Sequence, residues 1–345
     1  MMLTKSLPAK IILPFIAAVI IFVLFSFENN YEKPETNPEP PATRELQLGL
    51  SPHPDIGLCV IGLDKGFFLE HHLYLTFKNY ESNSETFHTG LAKGEVQIAV
   101  TDDLTMSMAA FDTQRFFIIA SLSTSDSFMG IAARRDRGIT KAADLQGKTI
   151  GVQKRSPAHY FLSTFLADNS VDAHEIRFND MPNKKLSPSL ANGEIDAIVA
   201  EAPYLEQART RLGVEAISFT MPGEYRRRQL LVVSKKFFTS NPEIVVSLIK
   251  GLVKAGQYAE QYPMESWKIV SRKLGIMENQ ASLRAWRSLQ LKVSLDQSLL
   301  HLMEEQARWA ISNGLVKSTT IPDYLNIFFS TPLETVDPGA VTIIR

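Results

Sequence analysis

Side chains suited to holding a small anion stand at the start of one predicted helix. Ser156 opens an apolar helical segment, residues 156–169, and Arg155 comes directly before it. Free N–H groups at a helix start attract anions, and an arginine beside them adds a forked, charged donor. Pro157 has no N–H, which removes one donor. Either Arg155 and Ser156 hold an anionic group, or Ser156 only caps the helix and Arg155 is solvated. For Ser156 the two roles can coexist.

Three acidic side chains follow predicted strands and favour a positively charged ligand instead of an anion. Asp102 and Asp103 come after one strand, and Glu201 comes after another. Facing a common ligand, these acids favour a cation or zwitterion. They repel an anion unless Arg155 or an arginine of the run 226–228 balances them. In the alternative interpretation, Asp103 caps the following helix and Glu201 points into solvent.

A repeated decapeptide indicates the elements that position these residues. Residues 91–100 read LAKGEVQIAV, and residues 190–199 read LANGEIDAIV. In each copy a glycine closes a helix and an apolar strand follows. The surrounding pattern predicts strands at 46–50, 73–77, 96–100 and 115–122, and again at 148–152, 175–178 and 195–200. Alternating strands and helices favour parallel sheets with right-handed crossovers, so we expect two similar lobes with a cleft between them.

The connections between the lobes are predicted from two short β-like stretches. Residues 128–135 and 228–236 are expected to be strands that cross between the lobes and form a hinge. The first lobe then comprises residues 45–128 and 230–345, and the second comprises residues 129–229. The C-terminal third is helical and is expected to pack on the outside of the first lobe.

Candidate binding residues follow from where ligands lie in such sheets. Ligands bind beyond the carboxyl ends of parallel strands, so the loops at those ends should line the cleft. The predicted ligand-binding residues are Ser51, His53, Ser82, Asn83, Thr101, Asp102, Asp103, Thr124, Arg155, Ser156, His159, Tyr160, Glu201 and Tyr204. The two tyrosines either stack on a flat ligand or pack in the core. The pattern contains no catalytic pair and no metal-ligand set, and no cofactor is expected.

The N-terminal segment predicts an exported domain. Residues 11–27 form an uncharged run that follows two lysines, which is typical of a membrane anchor or a signal segment. No small-residue cleavage pattern follows, so we favour an anchor with residues 1–10 in the cytoplasm. Residues 28–44 contain four prolines and read as an extended linker. The net charge of −1 gives no support for nucleic-acid binding, and Cys59 is the only cysteine.

Several segments together resemble a known family. They are residues 63–68 (LDKGFF), 143–152 (ADLQGKTIGV), 154–160 (KRSPAHY), both decapeptides and the pair 203–204. In order and spacing they resemble the periplasmic substrate-binding proteins of ABC importers for sulfonates, nitrate and taurine, which are related to binders of thiamine-pyrimidine precursors. The resemblance covers roughly residues 46–235. It implies an α/β, two-lobed type II periplasmic binding protein fold, with a mainly parallel sheet flanked by helices in each lobe.

The resemblance also implies a function. It implies a monomeric, non-enzymatic receptor in the periplasm that presents a small molecule to the permease subunits of an ABC importer. The family often has Lys-Gly-Ser-Ser where this chain has residues 154–157, and that segment holds sulfonate-like groups; Arg155 and Pro157 depart from it. Ala202 interrupts the family's Glu-Pro-aromatic pattern. A membrane-anchored sensor remains an alternative, as does an enzyme of the pyrimidine-precursor type, which would need more histidines and cysteines around its site.

Overall fold

The strands of the described chain form two separate sheets. The structure is a computed structural model that describes residues 43–125, 129–201, 203–221, 223 and 225–344. The predicted anchor and most of the linker lie outside the described residues. From Thr43 onward the chain forms one compact unit. In the described part no helix is both long and apolar enough to span a bilayer.

The strands and helices alternate through most of the chain. In chain order the strands are β1 (Arg44–Leu50), β2 (Leu73–Asn79), β3 (Ile98–Asp102), β4 (Phe116–Ser125), β5 (Met129–Arg134), β6 (Thr149–Val152), β7 (Arg177–Asp180), β8 (Ala197–Glu201), β9 (Ala216–Phe219), β10 (Arg227–Ser234) and β11 (Leu289–Ser294). The helices are α1 (Gly57–Asp64), α2 (Asn83–Glu85), α3 (Asp103–Ala109), α4 (Pro157–Asp168), α5 (Asn183–Ala191), α6 (Tyr204–Leu212), α7 (Lys235–Ser240), α8 (Pro242–Gln261), α9 (Pro263–Leu274), α10 (Gln280–Arg287), α11 (Gln297–Ser312) and α12 (Thr331–Val336).

The first sheet has the strand order β2-β1-β3-β10-β4-β11. Strand β1 pairs in parallel with β2 and β3, whereas β10 runs antiparallel to both β3 and β4. Helices cover both faces, which explains why residues 98–100 and 230–233 are apolar without alternation. Strand β11 closes one edge through antiparallel pairing with β4.

The second sheet has the strand order β7-β6-β8-β5-β9. Strand β6 is parallel to β7 and β8, and β5 is antiparallel to β8 and β9. We call the part of the chain around each sheet a lobe. The predicted pair of sheets flanked by helices is confirmed, but each sheet is mixed and not mainly parallel, because β5, β9, β10 and β11 pair antiparallel.

The chain passes between the sheets twice. It leaves the first sheet after β4 and returns to it at β10. The two stretches predicted to cross are strands, but each belongs to a single sheet: β5 to the second and β10 to the first. Strand β10 pairs on both sides within the first sheet, so it does not itself cross between the sheets.

The sequence repeat corresponds to a repeat of local packing. Gly94 and Gly193 both have left-handed backbone angles, φ +80° and +77°, directly before the strand of each copy. Gly49 in β1 and Gly151 in β6 are also equivalent. A Cβ at Gly49 would lie 2.8 Å from the Val96 side chain, and one at Gly151 would lie 2.7 Å from Ile195. Both glycines therefore let the first strand of their lobe approach the decapeptide closely.

Some elements differ from the sequence-based expectations. The helix expected at 56–71 is a 3-10 turn, then α1, then a second 3-10 turn at Leu69–His71, because Gly66 adopts φ +74° and ends the regular helix. The helix expected at 84–93 continues from α2 as a π-helix at Thr86–Leu91. Strand β11 was not expected, although its apolar residues alternate with Gln290 and Lys292.

Candidate functional site

A buried arginine joins the two lobes. Arg227 is the first residue of β10, and its guanidinium donates to the carboxylates of Asp55 and Glu201. Asp55 lies in the 3-10 turn after β1 in the first lobe, and Glu201 ends β8 in the second. The side chains of Arg227 and Asp55 are only 5% and 2% exposed, and that of Glu201 is 19% exposed. We call these three residues the Arg227 bridge.

Gln229 extends the bridge along the same face of β10. Residues two apart in a strand point to the same side, and the Nε2 of Gln229 donates to Oδ2 of Asp55 at 2.8 Å. On the neighbouring strand β4, Ser125 lies opposite Arg227 and Ser123 lies opposite Gln229. The arrangement is a polar layer between the first sheet and the turn that carries Asp55.

Several oxygens in this region have no hydrogen-bond partner among the described residues. They are Oδ1 of Asp55, Oε1 of Gln229, Oγ of Ser51 and Oγ of Ser125, and all four are buried. A buried polar atom without a partner costs free energy, about 1–3 kcal/mol each. Ser51 and Asp55 follow the carboxyl end of β1, and Gln229 contacts Asp55 from β10. The region can accept hydrogen bonds from a group that carries N–H or O–H.

Charge around the bridge is unevenly balanced. Burial alone would lower the pKa of Arg227, but the charges of Glu201 and Asp55 outweigh it and raise the pKa above its ordinary value. Burial raises the pKa of Asp102, and the Thr105 N–H and the charge of Arg227 counteract it only in part. One arginine thus faces three carboxyl groups, which makes the site acidic.

The two adjacent aspartates have different structural roles. Asp102, not Asp103, is the N-cap of α3, because the helix begins at Asp103; the Asp102 carboxylate accepts from the Thr105 N–H at 2.8 Å. The Asp103 carboxylate accepts from the backbone N–H of Arg228 at 2.9 Å and from the Tyr225 hydroxyl at 3.3 Å. Burial, followed by the nearby Asp102, raises the pKa of Asp103 to about 6.

The segment before α4 combines a cap with an unusual backbone conformation. Ser156 is the N-cap of α4, and its Oγ accepts from the His159 N–H and donates to the Gln153 carbonyl. Arg155 has φ +59°, which is uncommon for a residue other than glycine, and is exposed. Burial and then the charge of Arg155 lower the pKa of His88, which lies on the π-helix of the first lobe. The charge of Arg155 in the second lobe therefore acts on a histidine of the first lobe.

An aromatic cluster packs the lobes together beside the bridge. The ring of Tyr160 on α4 lies 5.1 Å from that of Tyr225 and 5.3 Å from that of Trp309 on α11. His159 also contacts Trp309, at 5.1 Å. Burial raises the pKa of Tyr160 to about 12. Leu104 of α3 packs in the apolar cluster of the second lobe as well, so the lobes touch along a continuous interface.

The other predicted residues are mostly occupied in local structure. Ser82 caps α2 by accepting from the Glu85 N–H, and the Thr101 hydroxyl donates to the Asn83 carbonyl. The buried Asn83 side chain and the half-buried His53 side chain make no hydrogen bond with a described residue. Two other predicted residues lie away from the bridge: Tyr204 begins α6 and packs in the second lobe, and Thr124 points to the opposite face of β4 from Ser125.

The bridge itself was only partly visible in the sequence. In the sequence, Arg227 is one of three consecutive arginines that could balance the acids, and Gln229, Tyr225 and Trp309 are not among the predicted site residues. Arg227 and Gln229 alternate at the start of an apolar strand, which is a readable sign of one polar face. No local pattern connects Trp309 to Tyr160, because they are distant in sequence and meet only through the packing of α11.

The chain has measurable similarity to known proteins. A model of the NMT1/THI5-like family matches residues 53–266, which is more than half of the chain. A protein of Haemophilus influenzae whose name suggests a role in thiamine biosynthesis is 23% identical over 241 residues. The match covers 68% of this chain and 75% of that protein.

Solved structures share the fold at low sequence identity. The alkanesulfonate-binding protein SsuA of Xanthomonas axonopodis pv. citri, solved with MOPS bound, has a TM-score of 0.69 at 16% identity. The match covers 84% of this chain and 99% of that one. The desulfurization enzyme DszB has a TM-score of 0.62 at 15% identity and matches 85% and 99% of the two chains. The predicted periplasmic binding protein fold is confirmed, and it is shared by a binding protein and an enzyme.

Proposed function

Because the chain belongs to the NMT1/THI5-like family, we propose that it is a solute-binding protein that captures a small organic molecule between its two lobes. The protein is not an enzyme in this proposal. It acts on the extracytoplasmic side of the membrane, anchored through residues 11–27, and passes its ligand to the permease of an ABC importer. The lobes have the predicted bounds, residues 45–128 with 230–345 and residues 129–229, except that residues 227–229 belong to β10 and therefore to the first lobe, and they open and close as units.

The observation that carries this proposal is the Arg227 bridge. It lies beyond the carboxyl ends of β1, β3 and β8, where ligands bind in open α/β sheets. Its two carboxylates come from different lobes, so any molecule that exchanges with the guanidinium contacts both lobes at once. A ligand in this position favours the closed arrangement by its contacts with both sides.

The chemistry of the bridge favours a ligand that carries an amine or a similar N–H group. Asp55, Asp102 and Glu201 together outnumber the charge of Arg227, and the unpartnered atoms on Asp55 and Gln229 are acceptors. An ammonium or amidinium group donates to acceptors and compensates negative charge. An anionic ligand would add charge of the same sign.

A sulfonate is the second candidate, supported by a different part of the interface. Arg155 offers a cation beside the positive end of the α4 helix dipole, and SsuA is named for alkanesulfonate binding. A molecule with an ammonium group at one end and an anionic group at the other would use both regions.

An enzymatic function based on Cys59 does not fit its surroundings. The cysteine lies in α1 and is fully buried. Burial raises the pKa of its thiol to about 12, so it is not ionised at neutral pH, and the thiolate is the nucleophilic form.

Ligand class is tested with matched pairs of solutes and the purified full-length chain in neutral detergent. Each pair contains an amine and the same molecule without it, for example 2-aminoethanesulfonate with ethanesulfonate, and the melting temperature is recorded with each. A solute at a hundred times its Kd adds about 2.7 kcal/mol of stability. We expect the amine-bearing member of at least one pair to stabilise the protein. Equal stabilisation by both members, or by none of the solutes, would contradict this assignment.

The location of the ligand is tested with Glu201→Gln. Removing this charge weakens the hold on an ammonium group, so the Kd of an amine-bearing ligand should rise about tenfold or more, as measured by calorimetry. Glu334→Gln, an exposed change on α12, is the matched control and should leave the Kd unaltered. Equal affinities for both variants would place the ligand elsewhere.

A further inference from the structure

A cavity lies on the face of the first sheet opposite the Arg227 bridge. Its volume is about 220 Å³, and it opens where β4, β10 and β11 meet the C-terminal segment. Neighbouring residues of a strand point to opposite faces, so Arg228 and Thr124 line this cavity while Arg227 and Ser125 point toward the bridge. The two sites therefore use different side chains of the same strands.

Two cations in this cavity have no acidic partner among the described residues. Arg226 and Lys292 are exposed, and neither forms an ion pair or a side-chain hydrogen bond with a described residue. The side chains of Thr124, Gln290 and Thr342 line the same space and also make no hydrogen bond there. The cavity thus presents a guanidinium, an ammonium, two hydroxyls and an amide as available donors.

One ion pair, between Arg228 and Asp296, lines the cavity. Arg228 donates to Asp296 at 2.7 and 3.2 Å and to Ser298 at 2.6 Å. Although burial acts to raise it, the Ser298 hydroxyl and the Arg228 charge hold the pKa of Asp296 below its ordinary value. This acid cancels only one of three positive charges around the cavity, Arg226, Arg228 and Lys292, and leaves a local charge of +2.

We propose that this cavity binds an oxyanion of the phosphate type, held by Arg226 and Lys292 and by the hydroxyls of Thr124 and Thr342. A forked guanidinium matches two oxygens of such an ion, and lysine adds a compact charge. The same chemistry is offered by free phosphate and by the headgroup of a phospholipid. The proposal does not depend on which solute, if any, occupies the cleft.

The test uses calorimetry on the full-length chain in neutral detergent at constant ionic strength, with inorganic phosphate and with a short-chain phosphatidic acid below its micelle concentration. Binding of phosphate, of the lipid, or of both supports the site and identifies the source. The double variant Arg226→Ala/Lys292→Ala should weaken the observed binding about tenfold or more. Both residues are exposed, so the variant should fold as the wild type does.

The matched control is Lys236→Ala/Lys317→Ala, which removes two exposed lysines that do not line the cavity. It should leave the phosphate affinity unchanged, which separates a site from the overall loss of charge. The proposal is overturned if neither compound binds, or if the two double variants weaken binding equally.

Discussion

Arg227 is the residue on which the interface between the lobes depends. Its charge is buried, and removing a partner of a buried ion pair commonly costs about 3–5 kcal/mol because the remaining charge is left unpaired. Asp55 is the more deeply buried partner, and Glu201 is the more exposed one. The partner that is easier to separate from Arg227 is therefore the one that belongs to the second lobe.

Asp103 should make the stability of the protein depend on pH. Its pKa is raised from 3.8 to about 6 in the folded state, so between these values the folded protein holds a proton that the unfolded chain has released. Stability from this group is therefore lost as pH rises through that window, by about 3 kcal/mol at most. Asn at this position does not ionise, so urea unfolding from pH 4 to pH 7 should increasingly favour Asp103→Asn over the wild type.

The control for this prediction is an aspartate whose pKa is shifted in the opposite direction. Asp136 is exposed, and the hydrogen bond from Arg134 lowers its pKa. An acid with a lowered pKa stabilises the fold above its unfolded pKa of 3.8, and this stabilisation is lost only as pH falls through the lower folded pKa. Between pH 4 and pH 7 the stability difference between Asp136→Asn and the wild type should therefore stay nearly constant. If the difference between wild type and Asp103→Asn is flat from pH 4 to pH 7, the carboxyl group is not protonated on burial.

Single residues at strand ends were predictable from the sequence, but their partners were not. Glu201 was correctly placed after a strand, and an arginine of the run 226–228 was considered as its counter-charge. Which arginine it is depends on the alternation of β10, and Asp55 is 172 residues away from Arg227. Such contacts depend on the position of one sheet relative to the other, and no short sequence pattern predicts that position.

At the scale of elements, α11 connects the first lobe to both candidate sites. Its N-cap, Asp296, holds Arg228 beside the phosphate-type cavity, and Trp309 in its last turns packs on Tyr160 of the second lobe. The helix therefore links the outer face of the first sheet to the interface between the lobes.

Asp296 is expected to stabilise the protein in two separable ways. Asp296→Ala removes the cap, which costs about 1 kcal/mol, and leaves Arg228 without its acid, so unfolding in urea should show a loss of about 2 kcal/mol or more. Asp296→Asn keeps a capping oxygen and loses only the charge, so its loss should be smaller.

A cap without a buried partner provides the comparison. Asp172 caps the short 3-10 helix Ala173–Glu175 at an exposed position, and Asp172→Ala should cost less than Asp296→Ala. Equal losses for Asp296→Ala and Asp296→Asn would show that the cap contributes nothing. Equal losses for the two alanine variants would show that the Arg228 pair contributes nothing.

The repeated strand–helix pattern made most of the two sheets predictable. Strand positions agree to within three residues because apolar strands alternate with helices and because a left-handed glycine, Gly94 or Gly193, separates helix from strand in each copy of the decapeptide. Strand β11 was missed because it is an edge strand with two exposed polar residues. The interruption of the helix after β1 was not predicted because the apolar pattern continues past Gly66. There the backbone adopts a left-handed φ, which ends the regular helix.

At the scale of the whole molecule, contacts between described side chains hold the two lobes together. The Arg227 bridge and the aromatic cluster of Tyr160, Tyr225 and Trp309 both cross the interface. Under the proposed function, a solute that enters exchanges with part of these contacts and shifts the protein between open and closed populations. Weakening the bridge should therefore favour the open state even in the absence of solute.

The most direct test of solute capture between the lobes is a distance measurement. Spin labels at Ser84→Cys in the first lobe and Lys154→Cys in the second report the separation by pulsed electron spin resonance, because both sites are exposed and the native Cys59 is buried. A pair at Ser84→Cys and Lys236→Cys lies within the first lobe and serves as the control. We predict that Glu201→Gln lengthens the distance between lobes, that a stabilising solute shortens or narrows it in the wild type, and that the control distance stays constant. An inter-lobe distance unaffected by both the solute and Glu201→Gln would contradict the proposal that this protein closes on a ligand.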